Sequence, residues 1–463
     1  MQKALAWKIG TVMILALLIQ IPLTMIDGMT AERKAARDSV VADIARSAAE
    51  AQRLAGPVIL VPFTRRSTQI TTRTDDDGRT HSVRKERIRK GWVALLPETL
   101  AIDGAVHLQT KQRGIYTARL YDSQLELRGR FVIPPEHRIH RSGSEYEWGK
   151  AVLVVGVSDP RGVRDGVRLE WDGTPLQLLP GGADAPVLRT GIHADLGQLS
   201  RPGTTEPAQH RFRVKLALRG TQRLDILPLG RATRVALASD WPHPSFTGRL
   251  LPEADTQVTD AGFAATWATT HFATNMAQTL KDCLRTKRCD DFRRNSFGVE
   301  FIEPVDLYLT LERAVKYGFL FIGLTFAAFF LFEVLVRLAI HPVQYTLVGI
   351  ALAVFFLLLL SLSEHLAFAF AYAIAAFACV ALIGVYLSTV LGGARRGALF
   401  AAGLGGLYAL LYAILRLEDH ALLMGSLLVF ALLAATMIGT RRVDWYRIGP
   451  ARATAAAAEP VQG

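Results

Sequence analysis

The chain has 463 residues, 50% of them hydrophobic and 20% charged, with 53 Lys and Arg against 41 Asp and Glu, a net charge of +12 and 3 cysteines. Three cysteines exclude a disulfide-stapled scaffold, and the length leaves room for two or three domains. Soluble domains carry about 25% charged residues, so the deficit means either one unusually apolar domain or an average over two unlike parts, which position along the chain decides.

An apolar run, Ile9 to Ile26, follows Lys3 and Lys8. A cleaved signal peptide has a core of about 7 to 15 residues and a small-x-small site. This run is longer and is followed by Asp27-Gly28-Met29-Thr30-Ala31, so it reads as an uncleaved membrane anchor. Gln20 and Pro22 lie within it, and a polar side chain there should face other helices.

Gly28 to Glu312 is a polar insert. Thr30 to Leu54, rich in Ala, Arg and Glu, reads as a helix leaving the membrane. Arg65 to Lys90 has no core pattern and reads as a long hairpin or a flexible loop. Period-two alternation marks strands at Ala105–Lys111, Tyr116–Tyr121, Gln124–Val132, Val167–Trp171 and Arg211–Leu218. Breakers such as Asp172-Gly173 separate them, which argues a mostly antiparallel sandwich or partly open barrel. Basic and acidic residues are interspersed, so no nucleic-acid surface is expected. Trp241 to Gly248, with His243 and Phe246, is a rigid aromatic segment suited either to a binding edge or to a structural corner. Phe272 to Leu284 reads as a short helix. Cys283 and Cys289 can close a small disulfide loop in an oxidising compartment, but spacing alone does not decide whether they do.

From Val315 to Gly439 the sequence is one apolar block. It divides into Val315–Val336, Val343–Leu362, Leu366–Leu391, Ala398–Leu415 and Ala421–Gly439, each near the ~20 residues that cross a hydrocarbon core. The expected architecture is a mixed α and β membrane protein with six transmembrane helices, one N-terminal and five C-terminal, and a β-rich extracytoplasmic domain between the first and second. Its parts are an anchor over 1–27, the β domain over 28–312, a five-helix bundle over 313–440 and a basic, Ala-rich tail over 441–463. With both termini cytoplasmic, Lys3, Lys8, Arg337, Arg395, Arg396, Arg441, Arg442, Arg447 and Arg452 all fall inside, in accord with the positive-inside rule. Arg313 and Lys316 are local exceptions.

No phosphate loop, dinucleotide fingerprint, zinc-protease helix or nucleophile elbow is present. His137 and His140 sit in a basic stretch that reads as surface. Within the block, Glu333 precedes Arg337 by four residues, a spacing that allows an ion pair near the cytoplasmic surface, close enough to the interface to snorkel. Glu364-His365, at the opposite mouth, suits acid and base work, a contact with the β domain, or simple hydration. Gly403, Gly405 and Gly406 read as close helix packing, and Cys379 as a small packing residue.

Several segments carry a resemblance. Trp7-Lys8, Glu32-Arg33, Gly56-Pro57, Gly114-Ile115-Tyr116, Trp241 to Gly248, Lys316-Tyr317, His341 to Tyr345, Ser363-Glu364-His365 and Asp444-Trp445-Tyr446 occur in the order found in the CreD family of bacterial inner-membrane proteins, which the chain resembles nearly end to end. The resemblance implies a protein associated with envelope stress and produced under a sensor kinase and response regulator system. It implies no cofactor and no catalytic set, and the cysteine pair lies outside the shared pattern. The reading is of a non-enzymatic protein that senses or supports envelope integrity through a periplasmic domain. Its partners would be the lipid bilayer and envelope components or other inner-membrane proteins. A transporter or flippase, and a tethered hydrolase using His243, Ser245 and His365, are the alternatives.

Overall fold

A computed structural model describes residues 2–74, 80–135, 145–183, 187–199, 206–303, 306–336, 340–416 and 421–441. Two compact units emerge, Met1–Arg37 with Val305–Gly463, and Asp38–Pro304. His137, His140 and Arg337 lie outside the described residues.

The chain begins with α1 (Gln2–Leu18) and α2 (Gln20–Ser47), separated only by Ile19. Pro22 cannot donate to the turn before it. The flanking bonds Ile19 N to Leu15 O (3.0 Å) and Leu23 N to Ile19 O (3.4 Å) carry the run through.

The second unit is built on strands β1 (Gln52–Thr74), β2 (Thr80–Leu95), β3 (Thr99–Arg113), β4 (Tyr116–Ile133), β5 (Glu145–Trp148) and β6 (Ala151–Val157). They are followed by β7 (Arg168–Trp171), β8 (Thr174–Leu176), β9 (Leu179–Pro180), β10 (Gly191–Gly197), β11 (Ala208–Thr221) and β12 (Arg223–Leu227). The last strands are β13 (Ala232–Ser239), β14 (Pro244–Gly248), β15 (Gln257–Thr259), β16 (Gly262–Thr270) and β17 (Phe297–Phe301). One sheet runs β14-β17-β12-β1-β6-β10-β9, with β2 and β5 also on β1; the other runs β15-β16-β13-β3-β4-β11-β7-β8. Alternate residues of both sheets, among them Leu54, Ile59, Val155 and Val299 from the first and Ile102, Leu127, Val214 and Trp267 from the second, share one core. This is a sandwich, of the two open alternatives. Pairing is mostly antiparallel, but β1 with β12 and β3 with β13 are parallel. The Arg65 to Lys90 stretch is a long hairpin whose β1–β2 register runs from Ile59↔Leu95 to Thr74↔Thr80. Two expected strands fuse into β4.

Helices α3 (His271–Thr274), α4 (Met276–Thr286) and α5 (Asp290–Arg294) follow β16. The expected single helix is broken at Asn275, which takes a left-handed conformation (φ 47°) that asparagine tolerates. Met276, Leu280 and Cys283 share one face of α4 and pack on Val58, Leu60, Val154 and Leu229, covering the outer side of the first sheet. Cys283 and Cys289 are joined by a disulfide with Cα atoms 4.6 Å apart. At the start of β1, buried Gln52 donates to the carbonyls of Asp159 and Arg219, both at 3.1 Å. Asp159 in turn accepts from Arg161 Nη2 at 2.7 Å and Glu50 N at 3.0 Å.

The chain then forms α6 (Leu307–Val336), α7 (Pro342–Ser363), α8 (Phe368–Val390), α9 (Ala394–Arg416) and α10 (Ala421–Thr440). Five helical segments among the described residues are long and apolar enough to cross a membrane: Gly10–Ser47, Leu307–Glu333, Pro342–Ser363, Phe368–Val390 and Ala394–Arg416. Helix α10 occupies the place of the sixth expected crossing. The expectation that Gly403, Gly405 and Gly406 mark close packing is corrected: among the described residues a Cβ at any of them would meet no atom within 4 Å. Close approaches occur at Gly397 and Gly384, between α8 and α9, and at Gly349, against Ile19 and Phe326, and Gly318, against Phe356 and Leu23; the last two concern the N-terminal helix. Gly349 and Gly318 let the N-terminal helix approach α7 and α6.

Two outcomes follow for the sandwich unit. Closing the short Cys283–Cys289 loop (sequence separation 6) restricts the unfolded chain by about 2 kcal/mol. Calorimetry with and without reductant should therefore show a melting temperature lower by roughly 5 °C in the reduced protein, and coincident melts would contradict this. Hydrogen bonding from Arg161, against an opposing effect of burial, holds the Asp159 carboxyl below its ordinary 3.8. A carboxyl depressed on folding stabilises above its unfolded value and loses that contribution as pH falls through the folded one. Melting temperature should accordingly fall more steeply below pH 4 in the wild type than in Asp159→Asn, whereas parallel curves would remove Asp159 from the acid response.

Candidate functional site

The ionisable groups of the helical unit gather at two levels. Pro342 opens α7 at its first turn, where a missing N–H costs nothing. His341 caps that turn, its ring accepting from Val343 N (3.4 Å) while the Gln344 side chain accepts from His341 N (3.2 Å). The cap fixes the approach of the α6–α7 connection and so the position of Tyr345, one turn into α7. Tyr345 is buried against Phe326 and Phe329, with ring centroids at 5.7 and 4.7 Å. Its hydroxyl donates to Glu333 Oε2 at 2.8 Å. Glu333 Oε1 accepts from Ile340 N at 3.1 Å and forms an ion pair with Lys8 Nζ from α1.

Glu333 is 4% exposed. The expectation that it snorkels toward the interface is therefore corrected: it turns inward, because Lys8, a tyrosine hydroxyl and a backbone N–H together replace the water it gives up. The Arg337 partner expected from spacing lies outside the described residues. A recess of ≈ 330 Å³ adjoins the cluster, lined by Trp7, Lys8, Thr11, His341, Pro342 and Tyr345.

At the second level α2 presents Arg33, Lys34 and Arg37. Arg33 Nε lies 3.6 Å from Glu364 Oε1, Lys34 Nζ 3.8 Å from Glu312 Oε2, and Arg37 Nη1 2.8 Å from Asp306 Oδ1. The Arg37 guanidinium also stacks 5.2 Å from the Tyr308 ring centroid. Lys8 and Arg33 are separated by about 37 Å of helix at 1.5 Å per residue, slightly more than a hydrocarbon core of about 30 Å. The two sets of ion pairs bracket one membrane thickness. Sequence reasoning placed Glu333 and Glu364 but missed their partners in the N-terminal helix. The signal was there in the run Glu32-Arg33-Lys34 with Arg37 one turn on. Glu364 caps the C-terminal end of α7 with its side chain only 10% exposed, whereas His365 beside it is exposed.

Trp241, His243 and Phe246 belong to the other unit. There the chain leaves β13 in the second sheet and enters β14 in the first. Phe246 packs edge-on to Phe263 (5.7 Å) and Trp267 (5.6 Å). Trp241 Nε1 donates to His243 O at 2.9 Å, and its ring is covered by the Arg119 guanidinium at 4.0 Å. Arg119 also donates to Glu303 at 2.8 Å. Of the two readings of this segment, the contacts are those of a sheet-to-sheet corner. His243 is exposed. Among the described residues no group of three or more His, Cys, Asp or Glu is arranged to hold a metal ion.

Comparison with known proteins agrees with this layout. The family profile described as "Inner membrane protein CreD" matches residues 4–446. The Inner membrane protein CreD of Escherichia coli (strain K12) is 34% identical over 446 residues, which cover 96% of this chain and 95% of that protein.

The Glu333 cluster should behave as a coupled pair. Lys8→Met leaves a buried carboxylate without its counter-charge and should destabilise the detergent-solubilised protein by on the order of 3 kcal/mol. Lys8→Met with Glu333→Leu should recover at least half of that loss in denaturant titrations. Additive losses in the double variant would show that the two residues do not act together.

Proposed function

Because the chain belongs to the CreD family of inner membrane proteins, we propose that it supports or senses cell-envelope integrity and stress through its β-rich unit, held on the periplasmic side of the inner membrane. In this reading six helices cross the bilayer, with α10 as the sixth, both termini are cytoplasmic, and the role is non-enzymatic. The observation that carries it is the Cys283–Cys289 disulfide. A disulfide belongs to an oxidising compartment, and the β-rich unit that contains it is the part that the distribution of loop cations assigns to the outside.

A transport pathway would need Glu333 or Glu364 available to a passing ion. Their engagement by Lys8 and Arg33 favours clasps over a pathway.

Single cysteines can test the arrangement in intact cells, with the native cysteines replaced by serine. Leu251→Cys, at a site 80% exposed, should react with a membrane-impermeant maleimide once the outer membrane is opened. Trp7→Cys, at a site 79% exposed, should react only after the inner membrane is breached. The opposite pattern would overturn the orientation. Cells lacking the protein should take up large antibiotics faster than wild type, and unchanged permeability would count against the envelope role.

A further inference from the structure

The two outer faces of the sandwich are finished differently. That of the first sheet is covered by α4. On the second sheet, the residues that alternate with the core positions of β16, β13, β3, β4 and β11 form an open trough with two depressions of ≈ 720 and ≈ 680 Å³. Strand register gives its composition row by row. One row reads Ala264, Ala238, Ala105, Gln124 and Ala217; the next reads Thr266, Ala236, Asp103, Glu126 and Lys215; the third reads Ala268, Arg234, Ala101, Arg128 and Arg213.

Alanine is a poor strand former and contributes almost no cross-strand packing. A solvated sheet face gains from β-branched and long polar side chains, so a floor of alanines across the three neighbouring strands β16, β13 and β3, resumed at Ala217 on β11, forgoes stability that ordinary substitutions would supply. What it provides is close approach for another backbone. One side of the floor carries the cations. Arg128 pairs with Asp103 and Arg213 with Glu126 and Glu170, while Lys215 and Arg234 form no ion pair among the described residues.

We propose that this trough docks an acidic helical segment of a partner protein. The continuous floor is three strands wide, about 10 Å at about 4.8 Å per strand, which matches the roughly 10 Å diameter of a helix. A strand would add at an edge, and this is a face. No aromatic ring stands on these rows to stack a sugar, and no large apolar side chain stands there to enter a bilayer. A second copy would set like-charged rims against each other. The partner's small or apolar residues lie on the alanine rows, and its carboxylates reach Arg234 and Lys215. The proposal rests on the envelope reading only for where that partner is found.

The test uses the full chain in nanodiscs of zwitterionic lipid. The probe is a fluorescein-labelled amphipathic peptide of about 15 residues, with Ala on one face and Glu on the other, compared with its Lys counterpart. The Glu peptide should bind about tenfold more tightly or better, and less tightly as salt rises. Arg234→Glu with Lys215→Glu should weaken it about tenfold, and Ala238→Trp or Ala264→Trp, which fill the floor without changing charge, should do the same while leaving the melting temperature in place. Equal binding of both peptides, no binding, or affinity untouched by every variant would overturn the proposal. So would binding of phosphatidylglycerol vesicles in preference to the Glu peptide, which would assign the face to lipid. Because purified protein is used, failure here leaves the labelling and permeability outcomes of the envelope reading intact.

Discussion

The membrane unit depends on bringing together two segments that the chain keeps far apart. Lys8 and Glu333 are 325 residues distant in sequence, and closing so long a loop costs conformational entropy before any contact between helices is gained. The sandwich removes most of that cost by the way its ends are placed. Strand β1 enters beside β12, and β17 returns on the other side of β12, so Gln52, Leu224 and Val299 lie in one row. Two strand spacings are only about 10 Å. Parallel pairing of β1 with β12 and antiparallel pairing of β12 with β17 make the chain leave and return in opposite directions at one end of the sheet. The buried network around Gln52 and Asp159 secures that end.

With its ends joined, the domain is an insertion that the helices tolerate. The N-terminal helix then meets its neighbours at two polar levels, Lys8 with Glu333 and the Arg33, Lys34 and Arg37 set with Glu364, Glu312 and Asp306. Between them, glycines at 349 and 318 admit Ile19 and Leu23. Ion pairs shielded from water add little net stability against well-packed apolar residues, but they penalise any register that leaves a charge unpaired. In a bilayer, where lipid is as apolar as the helix surface and gives no hydrophobic drive to associate, that penalty is a means of setting depth and rotation.

The sandwich shows a comparable division of labour. Its inner faces are ordinary strand alternation, and one outer face is closed by a short amphipathic helix stapled by a disulfide. The other outer face carries alanine where cross-strand packing would have used larger residues. The Trp241 to Gly248 corner and the Arg119 stack contribute rigidity where the chain changes sheets.

Much of this was legible in the sequence. Hydropathy located the apolar helices, because a spanning helix has no polar stripe to disguise it. Period-two alternation located β3, β4, β7 and β11, because one side of each faces a core. Glu333 and Glu364 stood out as acids where acids are costly. Tertiary structure alone decided the rest. Parallel pairings and the fusion of two segments into β4 depend on neighbours remote in sequence. So does the identity of partners remote in the chain: Lys8, which pairs with Glu333, and Arg33, which faces Glu364, both come from the far end of the sequence. Local periodicity reports which side of an element is buried. Which element buries it is set by packing between distant segments, and the opposite outcomes for Gly349 and Gly405, one pressed by Ile19 and one open, show that the same residue type carries no label for which.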